Sequence, residues 1–249
     1  LDSKFYYDYD ISKKIWFRAG GKVSIFCLVH SEKELEIILN QIKNIPYEII
    51  GAGSNILIRD KGFNGIIFKL GKKFNDINLN NTSIEVGAGL LDINLSKFAE
   101  LNEIKNFEFY SGIPGSIGGA IKMNAGCYGS ETKDIIKDIT IINSRGQLNL
   151  LTKNQIDLSY RCSSLSKGDI IISARYHVNY GLKNEISYKM QQIKNKRESS
   201  QPLKTKTSGS TFKNPPNEYA ANLIELAECK GMNVGDAAVS NKHANFLIN

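Results

Sequence analysis

Residues 111–129 read SGIPGSIGGAIKMNAGCYG, and six of these nineteen residues are glycine. A shorter segment of the same kind, Gly51-Ala52-Gly53-Ser54-Asn55, lies upstream. Small residues allow backbone N–H groups to approach a phosphate closely, and successive amides can form an anion-binding nest. Either segment alone is also typical of a tight structural turn. Their combination favours a phosphate-binding site, to which Asn124-Ala125-Gly126 adds further small residues.

These glycines do not form a Rossmann fingerprint, which needs G-x-G-x-x-G between a strand and a helix. Gly51-x-Gly53 is followed by Ile56 where the third glycine should stand. In the same way, Gly87-x-Gly89 is followed by Asp92. The sequence therefore disfavours a Rossmann dinucleotide site.

The chain has 249 residues, which favours two or three subdomains over one. Its net charge is +7, and residues 183–213 alone carry +6, from eight basic residues against two acids. This basic window could handle an anionic ligand such as a diphosphate, or it could be solvated lysine from a lysine-rich composition. Neither an RNA-binding signature nor aromatic-basic interleaving accompanies it, so we expect no nucleic-acid partner.

Cysteine and histidine usage gives no sign of a metal site. The four cysteines and three histidines are scattered, without a C-x-x-C pair. We expect reduced thiols, a cytoplasmic location and no metal. No apolar stretch approaches membrane-spanning length, and the first ten residues do not resemble a secretory signal.

Hydrophobic periodicity divides the chain into three α+β units. The first, residues 1–70, begins with a polar-aromatic stretch at 5–15 that we expect to be irregular. A strand at 23–29 leads into a helix that starts with a capping box of Ser31 and Glu34 and ends before Pro46. Strands are predicted at 48–50, 56–58 and 65–70.

The second unit, residues 71–182, combines strands at 83–86, 135–142 and 170–178 with a helix at 91–101 and the glycine-rich loop. The third unit, residues 183–249, has a helix with Ile186, Met190 and Ile193 on one face. A strand at 208–213, a helix around 220–227 and strands near Val239 and 246–248 complete the third unit, which we expect to be incomplete at its C-terminal end.

Two further motifs carry polar side chains. Tyr160 and Arg161 lie between strand segments, where an arginine is most often a surface ion-pair partner. Residues 209–215 read GSTFKNP and group hydroxyls, a lysine and an amide, a composition that a turn–strand junction also explains.

Seven motifs, taken in order, resemble the UDP-N-acetylenolpyruvoylglucosamine reductase family. They read WFRAGG at 16–21, GAGSN at 51–55, GIPGSIGG at 112–119, NAG at 124–126, YRCS at 160–163, GSTFKNP at 209–215 and VSNKHANF at 239–246. The short interval between Arg161 and Ser210 resembles the form of the enzyme that lacks an extra tyrosine-bearing loop. The resemblance covers the chain from about Trp16 to Asn249.

The resemblance implies an α+β fold, with a two-subdomain FAD-binding fold of the vanillyl-alcohol-oxidase type and a C-terminal substrate-binding domain. It also implies FAD as cofactor, NADPH as reductant, and a UDP-sugar enolpyruvate as the small-molecule substrate. The FAD contacts would come from three segments: Gly51, Ala52, Gly53, Ser54 and Asn55; Gly112, Ile113, Pro114, Gly115, Ser116, Gly118 and Gly119; and Asn124, Ala125 and Gly126.

The resemblance also assigns catalytic roles. Arg161 matches the residue that stabilises the enolate of the substrate, and Ser210 matches the proton donor. Tyr160, Lys213 and Asn214 would contact the substrate, Asn214 at its diphosphate.

Two features depart from the family pattern. Asp236 stands where the family has a glycine. The family also uses a glutamate on a strand beyond the His-Ala-Asn-Phe motif, and residues 1–249 hold no acid there. We therefore expect the native polypeptide to continue past Asn249 and to bring a carboxylate to the flavin.

Other functions remain open at this point. The chain could be another FAD oxidoreductase of the same fold that acts on an alcohol or a hydroxy acid. It could also be a flavin-binding protein without turnover, an alternative kept open by the missing glutamate. A nucleic-acid-binding module is more distant and would be colourless when purified.

Overall fold

The first sheet is built from residues 4–70 and has four strands in the order β1-β2-β4-β3. The computed structural model describes residues 1–249. β1 runs antiparallel to β2, while β2 and β3 each run parallel to β4. The elements are β1 (Lys4–Asp10), β2 (Lys22–Val29), α1 (Glu32–Gln41), β3 (Tyr47–Ile49) and β4 (Phe63–Leu70).

The second sheet has five strands in the order β10-β9-β13-β6-β5, and all its neighbours are antiparallel. Two short antiparallel ribbons, β7-β8 and β11-β12, form separate two-stranded sheets. The elements are β5 (Ile77–Leu79), β6 (Ser83–Gly87), α2 (Asp92–Leu101), α3 (Ile117–Lys122), β7 (Gly126–Cys127), β8 (Ser130–Glu131), α4 (Thr132–Ile135), β9 (Ile136–Ile142), β10 (Leu148–Thr152), β11 (Leu158–Ser159), β12 (Cys162–Ser163) and β13 (Ile170–His177).

The third sheet is antiparallel, with four strands in the order β14-β17-β16-β15. Helix α5 precedes this sheet and contacts the 3₁₀ helix Glu108–Gly112 of the middle region. The elements are α5 (Lys183–Ser200), β14 (Thr207–Ser210), α6 (Ala220–Leu226), β15 (Asn233–Val234), β16 (Ala237–Val239) and β17 (Phe246–Ile248). No helix is both long enough and apolar enough to cross a membrane.

Buried apolar side chains join the first two sheets. The largest cluster lies between the second sheet and helices α2 and α3, with Tyr110 and Tyr176 fully buried in it. A second cluster combines Phe68 of the first sheet with Ile142 and Ile170 of the second. These two sheets therefore share part of their core and are held against each other by burial of apolar surface.

Most of the predicted elements are confirmed, including the strand at 23–29 and the helices at 91–101 and 220–227. The capping box is confirmed only in part. Ser31 Oγ accepts the Glu34 N–H at 3.4 Å, but the Glu34 carboxylate accepts the N–H groups of Asp2 and Ser3 instead of that of Ser31. The start of the chain lies against the N-terminal end of α1, and its N–H groups donate to the carboxylate that would complete the capping box.

Three local predictions are wrong. Residues 4–10, expected to be irregular, form β1, because β2 offers them a free edge. Residues 56–58, expected to be a strand, have the alternation of one but pair with no strand. The strand expected at 208–213 ends at Ser210, because the N–H groups of Thr211 and Phe212 bond to Asn245.

Candidate active site

The two glycine-rich segments meet in the structure. Gly51 lies so close to Ser116 that a Cβ added to Gly51 would overlap the Ser116 Oγ. Gly53 has a φ of +73° and lies against the Lys14 carbonyl, with no room for a side chain. The Gly53 oxygen accepts the Trp16 N–H at 2.9 Å, which ties this loop to the first motif of the chain. Glycine is therefore required in the 51–55 loop by both its space and its backbone conformation.

Neither loop uses all of its backbone amides internally. None of the five N–H groups of residues 51–55 donates a hydrogen bond within the protein. On the facing loop, the N–H groups of Gly115, Ser116 and Gly119 are also unpaired. Unpaired amides on converging loops are the donor set that a phosphate or diphosphate accepts. The residues present therefore fit the diphosphate of a dinucleotide cofactor.

Residues 112–119 are hydrogen-bonded to the turn before α2 and to the first residue of that helix. The Gly115 oxygen accepts the Asp92 N–H at 3.1 Å, and Gly118 donates to the Ala88 oxygen at 2.9 Å. Ile113 and Pro114 lie half-buried at the start of the loop. The glycines let this loop approach the preceding turn, since a Cβ on Gly115 would come within 2.5 Å of Asp92 Oδ2.

Asp92 is fully buried, and neither of its carboxyl oxygens has a hydrogen-bond partner. Burial raises the pKa of Asp92 well above its ordinary value. A group in this position is neutral over a wide pH range, because nothing near it compensates a charge. The acid therefore supports the second loop without opposing an anionic ligand.

Residues 124–126 adopt a conformation fixed by Asn124, which has a φ of +37° and no exposed surface. The Asn124 amide donates to Glu131 Oε2 and to the Ser159 oxygen, both at 3.1 Å, and accepts the Lys133 N–H at 3.0 Å. This side chain is committed to the protein. Any part it has in holding a cofactor acts through the placement of Ala125 and Gly126.

Arg161 lies beside this segment. Its guanidinium donates to the Gly126 oxygen at 2.7 Å and to the Asn124 oxygen at 3.4 Å. It lies 5.0 Å from the centre of the Tyr160 ring and forms no ion pair. With five N–H donors and only two carbonyl partners, the guanidinium keeps charge and donors for an anionic ligand. The surface ion pair that is most common for an arginine in such a position is therefore not formed here.

Ser210 is an exposed residue at the end of β14 and pairs with Phe246. Two residues earlier, Ser208 Oγ donates to the Ile56 oxygen at 3.3 Å, next to the first glycine-rich loop. Four residues later, the Asn214 N–H donates to Tyr160 Oη at 3.3 Å. The segment that carries Ser210 is thus anchored at one end to the first loop and at the other to the Tyr160–Arg161 turn.

Lys213 and Asn214 differ in their surroundings. Lys213 is exposed and has no ion-pair partner. Asn214 Oδ1 accepts the Ala220 N–H at 3.0 Å and so closes the turn before α6. Its Nδ2 donates to no protein atom and stays available.

Seven of the eight basic residues in the basic window are exposed, which matches solvated lysine. The exception is Arg197, which is half-buried near Cys127 and Tyr128 and has no carboxylate partner. Burial lowers the pKa of Arg197. Sequence reasoning did not single out this residue or Asp92, since neither belongs to a motif. Each is a single charged residue at helical spacing from buried positions, and such a residue gives only a weak indication of function in the sequence.

One group of potential metal ligands exists, formed by Asp2, His30 and Glu34, whose ligand atoms lie within 4.8 Å of one another. Spacing in the sequence could not group them, because folding brings the chain start to α1. Both Glu34 oxygens already accept backbone N–H groups at 3.1 and 2.7 Å. These hydrogen bonds hold the start of the chain against α1. All four cysteines are free thiols.

Two family models match parts of the chain. Residues 23–151 match the FAD binding domain, and residues 201–249 match the C-terminal domain of UDP-N-acetylenolpyruvoylglucosamine reductase. The UDP-N-acetylenolpyruvoylglucosamine reductases of Rickettsia conorii and Rickettsia felis are each 42% identical to the chain over 243 residues. Those alignments cover 97% of this chain and 82% of each relative.

Solved structures agree with this family. The UDP-N-acetylenolpyruvylglucosamine reductase of Thermus caldophilus matches with a TM-score of 0.88 at 30% identity, covering 99% of this chain and 88% of that one. A cholesterol oxidase from Brevibacterium sterolicum shares only the fold, with a TM-score of 0.54 at 14% identity over 72% of this chain and 38% of that one. The predicted α+β fold class, an FAD-binding fold followed by a C-terminal domain, is confirmed. The chain belongs to the UDP-N-acetylenolpyruvoylglucosamine reductase family.

Proposed function

We propose that this chain is a flavoprotein oxidoreductase that uses NADPH and FAD to reduce UDP-N-acetylglucosamine enolpyruvate to UDP-N-acetylmuramate. The reaction saturates a carbon–carbon double bond and supplies a precursor for peptidoglycan. The observation that carries this proposal is the contact between the two glycine-rich loops, which leave eight backbone amides without a partner in the protein. Arg161 bonds to the adjoining residues 124–126 and has no ion-pair partner, and the strand of Ser210 bonds to Ile56. Family membership supplies the substrate.

The cofactor contacts follow from the loops. Residues 51–55 and the free amides of Gly115, Ser116 and Gly119 would hold the FAD diphosphate. Bound FAD supplies the chemistry of accepting a hydride from NADPH and delivering it to the vinyl carbon of the substrate. The protein's own part is to bind and orient both partners and to handle the proton.

Arg161 would stabilise the negative charge that hydride addition delocalises into the substrate carboxylate. A planar guanidinium matches a planar carboxylate with two parallel hydrogen bonds. Its two bonds to the Asn124 and Gly126 oxygens hold it in place in advance, so little reorganisation accompanies the reaction. Tyr160 lies against the guanidinium and restricts its position further.

Ser210 would donate the proton to the carbon next to the new C–H bond. A hydroxyl is a weak acid, yet a carbanion-like intermediate is basic enough to take its proton when the geometry is fixed. The bond of Ser208 to Ile56 and the bond of Asn214 to Tyr160 would hold the segment that carries Ser210 in place. Lys213 and the free Nδ2 of Asn214 are suited to contact the substrate diphosphate.

The units at residues 1–70, 71–182 and 183–249 would act as two FAD-binding subdomains and a substrate-binding domain, in a cytoplasmic enzyme. The alternative of an alcohol or hydroxy acid oxidoreductase has only the fold in its support, since the cholesterol oxidase match is 14% identical. The test is NADPH oxidation measured with and without the enolpyruvyl sugar nucleotide. We expect turnover only with that substrate and a product heavier by two hydrogens. Turnover with an alcohol and oxygen instead would contradict the proposal.

A further inference from the structure

Lys69 lies under the first glycine-rich loop, on β4, in the otherwise apolar run Ile66-Ile67-Phe68. Its side chain is half-buried, and its Nζ donates to the Gly51 oxygen at 2.5 Å. No carboxylate lies within 4.0 Å of this ammonium group. Burial, followed by the nearby ammonium of Lys14, lowers the pKa of Lys69. The positive charge of this half-buried ammonium is therefore not compensated by any anionic group of the protein.

The Lys69 bond also sets the direction of a peptide group. In a trans peptide, the C=O of one residue and the N–H of the next point in opposite directions. Because Lys69 holds the Gly51 oxygen from one side, the Ala52 N–H points to the other side. That amide is the second of the five in the loop that donate to nothing in the protein. Lys69 therefore fixes the orientation of an amide that is free to bind a ligand.

We propose that Lys69 is a positioning residue for the cofactor diphosphate. It orients the 51–55 loop through the Gly51 carbonyl and places a full positive charge directly behind that loop. The proposal rests on the proposed binding of FAD by these loops. It extends the site to a residue that belongs to no glycine-rich motif.

The charge distribution on the two sides of the site agrees with this role. The second loop is supported by Asp92, an acid with no charge partner, whereas the first is supported by Lys69. Lys14, whose backbone oxygen lies against Gly53, adds a second ammonium close to Lys69. Because the backbone amides of both loops carry only partial charges, the ammonium groups of Lys69 and Lys14 would supply full charges to compensate a dianionic diphosphate.

The test is a series of substitutions at Lys69 in the full chain, with FAD affinity measured by flavin fluorescence during titration of the FAD-free protein. Lys69→Met removes both the hydrogen bond and the charge, and should weaken FAD binding by about 10- to 100-fold. Lys69→Arg keeps the charge and donors and should bind FAD within about fivefold of the unaltered protein. Lys69→Gln keeps a donor without the charge and should fall between these two.

The matched control is Lys73→Met, which removes the same charge from an exposed position four residues along the chain. It should leave FAD affinity unchanged. Urea unfolding of each FAD-free variant, followed by circular dichroism, separates a loss of fold from a loss of affinity. We expect the unfolding midpoints of Lys69→Met and Lys69→Arg to agree while their FAD affinities differ.

Equal FAD affinity of Lys69→Met and the unaltered protein would overturn this inference and leave the proposed function intact. Equal losses in Lys69→Met and Lys69→Arg would also overturn it, since the charge would then be irrelevant. Failure of the unaltered protein itself to bind FAD would instead contradict the proposed function.

Discussion

Single residues in this site are defined more by their partners than by their type. Asn124 and Asn214 are both amides in glycine-rich or proline-rich motifs, yet Asn124 has every polar atom occupied and Asn214 keeps its Nδ2 free. Arg161 in turn bonds only to carbonyls. The sequence could identify these positions by motif, but it could not tell a side chain that braces a loop from one that meets a ligand.

Ser210→Ala should separate the two half-reactions. The hydroxyl acts only after hydride has reached the substrate, so NADPH should still reduce the flavin at the normal rate. Reoxidation by the enolpyruvyl substrate should fall by about 10²- to 10⁴-fold, the typical cost of losing a general acid. Stopped-flow absorbance of the flavin measures both steps.

Ser208→Ala is the control for Ser210→Ala, because it removes a hydroxyl on the same strand that donates to the Ile56 oxygen. It should leave flavin reduction by NADPH unchanged and slow reoxidation by the substrate far less than Ser210→Ala does, because the proton-donating hydroxyl remains. If Ser210→Ala slows both half-reactions equally, Ser210 has a structural role and the assignment as proton donor fails.

Asp92→Asn should stabilise the protein in a pH-dependent way. The raised pKa of Asp92 means that the folded state keeps a proton that the unfolded state loses above the ordinary value of 3.8. The destabilisation of the folded state by Asp92 is therefore absent below pH 3.8. It grows as the pH rises from there towards the pKa of Asp92 in the folded state. Asparagine has the same shape and no proton to lose.

The free energy of unfolding in urea, measured at pH 4 and pH 7, tests the Asp92 prediction. At pH 7 the free energy of unfolding of Asp92→Asn should exceed that of the unaltered protein by about 1 to 3 kcal/mol, a size typical of buried polar substitutions. The difference should shrink towards pH 4. Tyr110 and Tyr176 face the same buried region and stay protonated throughout, since burial raises the pKa of both. A constant difference at both pH values would contradict the account.

At the scale of elements, hydrophobic periodicity correctly predicted the helices and strands that carry their own apolar face. It failed for segments whose structure depends on pairing with another strand. The helix at 91–101 and the strand at 23–29 carry their own apolar faces, and both are confirmed. Residues 4–10 lack a buried face and become a strand only because β2 accepts them. Residues 56–58 have the alternation of a strand, but they form no strand pairing.

Gly53→Ala should disrupt the first loop as an element. The residue has a φ of +73°, and an added Cβ would overlap the Lys14 carbonyl, so the backbone must move. A positive φ alone costs a non-glycine residue about 1 to 2 kcal/mol. We expect the overlap to add to this and FAD affinity to fall by more than about tenfold, which fluorescence titration can measure.

Gly235→Ala separates strain from overlap, since Gly235 has a φ of +59° with open space around it. It should lower the unfolding midpoint slightly and leave FAD affinity unchanged. Equal FAD affinities for the Gly53 and Gly235 variants would show that the loop tolerates displacement, contrary to its proposed role.

At the scale of the whole molecule, the site is assembled from parts that the sequence keeps far apart. Gly51 meets Ser116, Ser208 bonds to Ile56, and Tyr160 bonds to Asn214. The ordered motifs predicted that these segments serve one function, and the family match confirms the resemblance. The supporting residues Asp92 and Lys69 could not be predicted, because their importance depends on what the fold leaves unpaired around them.

The central claim is that one FAD site takes electrons from NADPH and passes them to an enolpyruvyl sugar nucleotide. Anaerobic titration of the FAD-loaded protein tests it most directly. Stoichiometric NADPH should bleach the visible flavin absorbance, and UDP-N-acetylglucosamine enolpyruvate should then restore it with formation of UDP-N-acetylmuramate. A flavin that stays bleached with this substrate, and regains its colour only when oxygen is admitted, would contradict the account.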